Sequence, residues 1–271
     1  MVRFDPTSRL PTALELPDSD ETPVDNELQD SVPGVLKAIL ALLWQNRSDW
    51  FFGVDMGIYA NTESPWTAIV PDGFLSLGVP RFRSQYGKRG RPSYVLWEED
   101  GIVPVFVLEV VSETYRSEYE DKLRQYQDLE VQYYAIYDPE SFQPRRDRLE
   151  VYEWIDGAYV RLPGEPVWLP ELGLGLGRAE AEVEGWTREW LFWFSEEGER
   201  YPLPEEYQRY RADLAEKQVE AEQQARAEAE QQVEQERLRA EQERLRAEQA
   251  ERQARALIER LRALGIDPDT L

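Results

Sequence analysis

The 271-residue sequence contains neither cysteine nor histidine. Without them no disulfide framework, reactive thiol, Ser-His-Asp triad or Cys-His pair can form. A zinc centre of the usual Cys/His kinds is excluded as well. Any catalysis has to rest on Asp, Glu, Lys, Tyr or Ser, or on a hard cation bound through oxygen. The absence of cysteine fits a reducing compartment. A long apolar run is also missing: the strongest, 35–44, is short and contains Lys37, too little to span a bilayer. The N-terminal MVRFDPTSRLP carries no apolar segment of the signal-peptide kind. The sequence therefore predicts a soluble, cytoplasmic protein without a membrane partner. Basic residues are scarce, 31 against 54 acids, and the net charge of −23 opposes approach to a polyanion.

The residues that are present divide unevenly. All nine Trp, all nine Phe and twelve of fourteen Tyr precede residue 205, so the material for a core lies there. From Glu205 onward the chain is rich in Ala, Glu, Gln, Arg and Leu, good helix formers, and has no Gly or Pro between Arg209 and Leu264. This tail carries −5, leaving −18 on residues 1–204. EQERLRA occurs at 234–240 and again at 241–247. Val233, Ala240, Ala247, Ala254 and Leu261 recur at heptad spacing, while Glu236 and Glu243 interrupt a second row through Ala250, Leu257 and Leu264. The pattern predicts a charged helix or coiled coil over 205–264, with a short end at 265–271. Alanine buries little area, so a solvated single helix and a homodimer through this helix both stay open, as does a dimer through the body. At the other end, residues 1–24 read as an extended acidic leader: 15–30 holds seven acids and no base, with prolines at 11, 17 and 23.

Residues 25–204 read as one domain. Ser31-Val-Pro-Gly opens a helix to about Asn46, with Pro33 in its first turn and apolar residues on most sides. Strand-like runs follow at Trp50–Tyr59, Ala68–Leu77, Val103–Val111, Tyr133–Tyr137, Leu149–Trp154 and Ala158–Leu162. A helical spacing of Tyr119, Leu123, Tyr126 and Leu129 marks 116–129, Ile155-Asp-Gly-Ala158 is a hairpin turn, and Thr187–Glu197 is predicted as a last helix. This order predicts an α/β fold with a mixed sheet.

The strand PVFVLEVVS carries the sharpest chemical signal. Val105, Val107, Glu109 and Val111 share one face, and Phe106, Leu108 and Val110 the other. Glu109 is the lone polar residue of an apolar strand, and a lone buried carboxylate costs several kcal/mol unless a cation or a lysine such as Lys122 pairs with it. Upstream, Pro71-Asp72-Gly73 interrupts another apolar run. Alone it is a turn signature; with Glu109 and Lys122 it completes the order Asp, Glu, Lys. Asp55, on the FFGVDMGIY segment, is a further candidate to line or support a cleft. From Arg81 to Arg91, RFRSQYGKRGR supplies five bases and no acid. Its Arg81, Arg83, Lys88, Arg89 and Arg91 are candidate phosphate contacts if the loop lies beside the cleft; the alternative is a solvated surface loop.

The segments PDGFLSL, PVFVLEVVSETYR, the Glu118/Lys122/Tyr126 spacing and VQYYAIYDP, in this order, resemble the Uma-type restriction endonuclease family of the PD-(D/E)XK nuclease superfamily over about residues 25–200. The resemblance implies a restriction-endonuclease-like mixed β-sheet flanked by helices, here followed by the long C-terminal helix. It implies that Asp72 and Glu109 are metal ligands and that the main-chain carbonyl of Val110 joins them. The superfamily's lysine position is occupied by Val111, so Lys122 from the next helix stands in for it. Glu118 sits where the family usually has Asp, and Glu27 is a candidate for the acid on the first helix. The implied activity is Mg²⁺-dependent (or Mn²⁺-dependent) endonucleolytic hydrolysis of phosphodiesters, of DNA rather than RNA. The acidity, the missing lysine at Val111 and the long tail suit an alternative: an inactive nuclease-like scaffold that binds a partner through its C-terminal helix.

Overall fold

The computed structural model describes residues 9–17, 26–87, 90–113 and 118–263. The chain forms two compact units, 1–206 and 207–271. Helix α1 (Leu28–Leu43) buries Leu28, Val32, Val35, Leu36, Ile39 and Leu40, an i, i+4, i+7, i+8 stripe of the kind that faces a core. It starts three residues before the predicted Ser31, because the Asn26 side chain accepts the Leu28 N–H at 2.9 Å and satisfies a first-turn donor. Pro33 consequently lies inside the helix rather than in its first turn.

Six strands build the main sheet: β1 (Trp50–Val54), β3 (Gly73–Leu77), β5 (Phe106–Val110), β6 (Tyr133–Tyr137), β7 (Leu149–Ile155) and β8 (Ala158–Arg161), in the order β1-β3-β5-β6-β7-β8. Only β5 and β6 run parallel; the other neighbours are antiparallel. The parallel pair needs a crossover, which a π-helical turn at Glu118–Lys122 and helix α2 (Leu123–Asp128) supply. The β7–β8 hairpin turns on Asp156 and Gly157, at φ 48° and 85°, the type I′ geometry that Asp-Gly favours. A two-strand parallel pair, β2 (Ile58–Tyr59) with β4 (Tyr94–Val95), lies apart from the main sheet. The predicted 50–59 and 68–77 runs are thus broken: regular pairing of β1 with β3 covers only Trp50–Val54 and Gly73–Leu77.

The predicted helix at Thr187–Glu197 is instead strand β11 (Trp186–Phe194). It pairs over nine positions with β10 (Leu174–Val183), whose other edge carries β9 (Val167–Leu169). Trp190, Leu191, Phe192, Trp193 and Phe194 are all buried. Such an unbroken apolar run has no period that separates strand from helix, and aromatics prefer the strand. Strand β10 was hidden by its glycines. Gly177 sits in a tight place, where a Cβ would stand 3.0 Å from both Phe194 and Pro166.

Two apolar layers sandwich the main sheet. On one side α1 and β9–β11 pack over Phe106, Leu108, Val110, Tyr133 and Tyr137, and Trp193 Nε1 donates to the Leu36 carbonyl at 3.1 Å. On the other side Tyr94, Tyr119, Tyr126 and Val131 cover Phe74, Val107, Tyr134 and Ile136. Glu109 projects into this second layer. The described residues of the second unit, 207–263, all belong to helix α3 (Pro204–Ala263), which is 60 residues long, and its described side chains from Gln208 onward are exposed. Ion pairs such as Arg226–Glu230 and Arg244–Glu248 run along it at i, i+4, each adding a few tenths of a kcal/mol, about 0.2–0.5. Among the described residues no helix is long and apolar enough to cross a membrane.

Candidate active site

The site forms where β3 and β5 part company. Their pairing ends at Gly73 opposite Leu108. Beyond that point the N–H of Val110 has no ladder partner, and a buried N–H has to find one. The Asp72 carboxylate takes that place, its Oδ2 accepting the Val110 N–H at 2.6 Å. Asp72 is not in a reverse turn: its own carbonyl accepts the Asp55 N–H at 3.1 Å, so the chain continues toward the Ile58–Ile69 bridge. Alternation along β5 aims odd-numbered backbone groups at β6, as with the Val111 N–H on Tyr137. The Val110 carbonyl therefore faces the same edge as its N–H, toward Asp72.

Glu109 is 4 % exposed. Its Oε1 accepts two hydrogen bonds, from Lys122 Nζ at 3.0 Å and from the Tyr126 hydroxyl at 2.5 Å. Lys122 Nζ also donates to the Val70 carbonyl at 2.6 Å, two residues before Asp72. Lys122 and Tyr126, four apart around the start of α2, thus reach one oxygen together. Among the described residues, Glu109 Oε2 and Asp72 Oδ1 take no hydrogen bond. Burial, and next the Glu109 charge, push the Asp72 carboxyl well above the usual carboxylate range, against the opposing pull of the Val110 N–H and Lys122. Asp72 nevertheless keeps partial solvent access. Burial and then Glu109 raise the Tyr126 hydroxyl well above its ordinary value, so it stays a donor.

Asp72, Glu109, Lys122 and the Val110 backbone therefore meet in one network, and Asp55 adjoins it through the backbone. Glu27 is exposed at the N-cap of α1, and no hydrogen bond among the described residues joins it to Asp72 or Glu109. Glu118 opens the π turn, but its side chain lies outside what is described. No group of three or more acids arranged to hold a metal occurs among the described residues, so any ion here relies on two carboxylates with backbone and water oxygens. Tyr126 has no chemical role in the sequence reading; its spacing of four from Lys122 was the available signal.

The basic loop is arranged differently from the sequence expectation. It leaves β3 at Leu77, which pairs with Trp50, whereas Asp72 precedes the other end. Four residue steps separate Gly73 from Leu77, roughly 13–14 Å of strand. Arg91, its side chain 2 % exposed, clasps the fully buried Glu99 through Nε at 2.8 Å, and Arg83 reaches the same carboxylate at 2.8 Å. Arg91 also donates to the Pro80 and Arg81 carbonyls and lies over the Phe51 ring at 4.4 Å. These two arginines hold the loop from within. Arg81 stacks on Trp50 at 4.3 Å and on the exposed Phe82 at 5.1 Å. Lys88 and Arg89 lie outside the described residues.

A family model, Uma2, described as "Putative restriction endonuclease", matches residues 13–184. The chain belongs to the Uma2 family. The matched span contains Asp72, Glu109, Lys122 and Tyr126, and it excludes β11 and α3. The mixed sheet and flanking helices are consistent with the PD-(D/E)XK superfamily to which the Uma2 resemblance points. No curated protein and no solved structure is significantly similar to the chain.

Proposed function

We propose that this Uma2 protein is a divalent-metal-dependent endonuclease acting on DNA, with Asp72, Glu109 and the Val110 carbonyl holding Mg²⁺ or Mn²⁺. The observation that carries this reading is the convergence of two acids 37 residues apart in the chain, with Lys122 beside them. The residues present fit such an ion. Asp72 Oδ1 and Glu109 Oε2 are hard oxygens without hydrogen bonds among the described residues, and the mutual repulsion of the two acids is relieved by a cation. Oxygen ligands of this kind suit Mg²⁺, which keeps several waters. When bound, the ion supplies a Lewis acid for the phosphate and acidifies its water.

The chain's own groups then have distinct tasks. Asp72, fixed by the Val110 N–H, and Glu109, fixed by Lys122 and Tyr126, present their remaining oxygens in a preset arrangement. Lys122 uses two of its three donors on Glu109 and Val70, leaving one N–H for the attacking water or a phosphate oxygen, where charge develops during reaction. Of the loop bases, Arg81 is the phosphate contact we propose, since Arg83 and Arg91 are committed to Glu99. Its loop leaves β3 at the end opposite Asp72, so it would contact the nucleic-acid backbone away from the scissile bond.

Purified protein incubated with plasmid should nick or linearise it with Mg²⁺ or Mn²⁺ and not with EDTA, and Glu109→Ala should be inactive while remaining folded. Failure of the wild-type protein to cut with either ion would leave the alternative, a scaffold acting through the exposed 60-residue α3.

A further inference from the structure

We propose that Tyr126 is a positioning residue that sets the orientation of the Glu109 carboxylate for metal binding; this rests on the reading of Asp72 and Glu109 as metal ligands. Two donors converge on the same oxygen, Oε1, and leave Oε2 without a hydrogen bond among the described residues. A carboxylate gripped through one oxygen has its rotation fixed and its other oxygen aimed.

The two donors differ in what else they do. Lys122 also bonds the Val70 carbonyl and is 22 % exposed in its side chain. It carries the charge that a phosphate would compete for, so its hold on Glu109 weakens when a substrate engages it. The Tyr126 hydroxyl is neutral and fully buried, and its ring sits against Tyr134 at 4.9 Å between centroids. It has no competing acceptor among the described residues, so it keeps Glu109 in place whether or not Lys122 moves. Groups that hydrogen-bond a metal ligand from behind typically affect metal affinity or activity by about 10–100-fold.

A merely space-filling tyrosine would predict no such effect, and Tyr159 supplies the control. Its hydroxyl donates to the Val131 carbonyl at 2.8 Å within the same aromatic cluster, away from Glu109. Tyr126→Phe and Tyr159→Phe each delete one hydrogen-bonded hydroxyl, the first fully buried and the second half-buried, and keep the ring. Mn²⁺ binding is measured without nucleic acid, by electron paramagnetic resonance or calorimetry, with folding checked by circular dichroism. Tyr126→Phe should weaken Mn²⁺ binding about 10–100-fold and raise the Mg²⁺ concentration for half-maximal cutting by a similar factor. The rate at saturating Mg²⁺ should change far less. Tyr159→Phe should bind Mn²⁺ as wild type does. Unchanged Mn²⁺ affinity in Tyr126→Phe, with a wild type that binds and cuts, overturns the role of Tyr126 alone. Equal losses in both variants also overturn it. A wild type that binds no Mn²⁺ overturns the metal site itself, and this inference with it.

Discussion

Replacing Glu99 by Gln tests whether the arginines of the basic loop are structural or available to phosphate. Glu99 is fully buried and holds Arg91, 2 % exposed, at 2.8 Å and Arg83, 14 % exposed, at 2.8 Å. Removing one partner of a buried ion pair costs about 3–5 kcal/mol, because the other charge stays buried without compensation. Two features pull the loss toward the lower end of that range. Gln retains one acceptor oxygen, and Arg91 keeps its bonds to the Pro80 and Arg81 carbonyls and its place over Phe51. With a loss of about 3 kcal/mol and about 2–4 °C of melting temperature per kcal/mol in a domain of this size, Glu99→Gln should lower Tm by roughly 6–12 °C. Scanning calorimetry reads this directly. The reasoning fails if Tm moves by less than about 2 °C while affinity for DNA rises, since the arginines would then be free to leave Glu99 for a phosphate.

Other outcomes follow from the same structure. Lys122→Met should reduce cutting about 10²–10³-fold at saturating metal, the usual loss when one donor to developing charge is removed; undiminished turnover would remove Lys122 from the mechanism. Arg81→Gln should lower the magnitude of the log–log salt slope of DNA binding by about one unit, and an unaltered slope would mean that Arg81 touches no phosphate. Gly53→Ala places a Cβ 2.2 Å from the Phe74 ring and should destabilise the sheet by about 1–3 kcal/mol, read by denaturant midpoint. Ending the chain after Glu206 should remove about 70 % of the α-helical ellipticity among the described residues and leave the calorimetric melting of the remaining unit in place; loss of that transition would show the unit does not fold without α3.

Several features were written locally in the chain. Strand β5 is legible because its alternation isolates Glu109 among apolar neighbours, and a carboxylate so placed demands a partner. The β7–β8 hairpin is legible because Asp-Gly supplies two residues that accept positive φ. Helix α3 is legible because a long stretch without Gly or Pro, filled with helix formers and i, i+4 charge pairs, has no better local alternative. The Asp-Glu-Lys order came from sequence as well, together with the family resemblance.

Tertiary packing decided what local pattern left undetermined. Strand β11 looked helical because its apolar run carries no period; the nine-position pairing with β10 and burial against the main sheet and α1 made it a strand. Pro71-Asp72-Gly73 taken alone reads as a turn; that Asp72 accepts the Val110 N–H followed only from where the β3–β5 pairing ends. The loop arginines read either as phosphate contacts or as a solvated surface loop, yet the buried Glu99 drew two of them inward, since a carboxylate in the core binds the cations that can reach it. Tyr126 became a partner of Glu109 only when the crossover between parallel strands laid α2 across the sheet. Periodicity and turn chemistry act within a few residues and are visible in one dimension. Which buried polar group meets which depends on strand order and crossover, and that is settled only when the layers close.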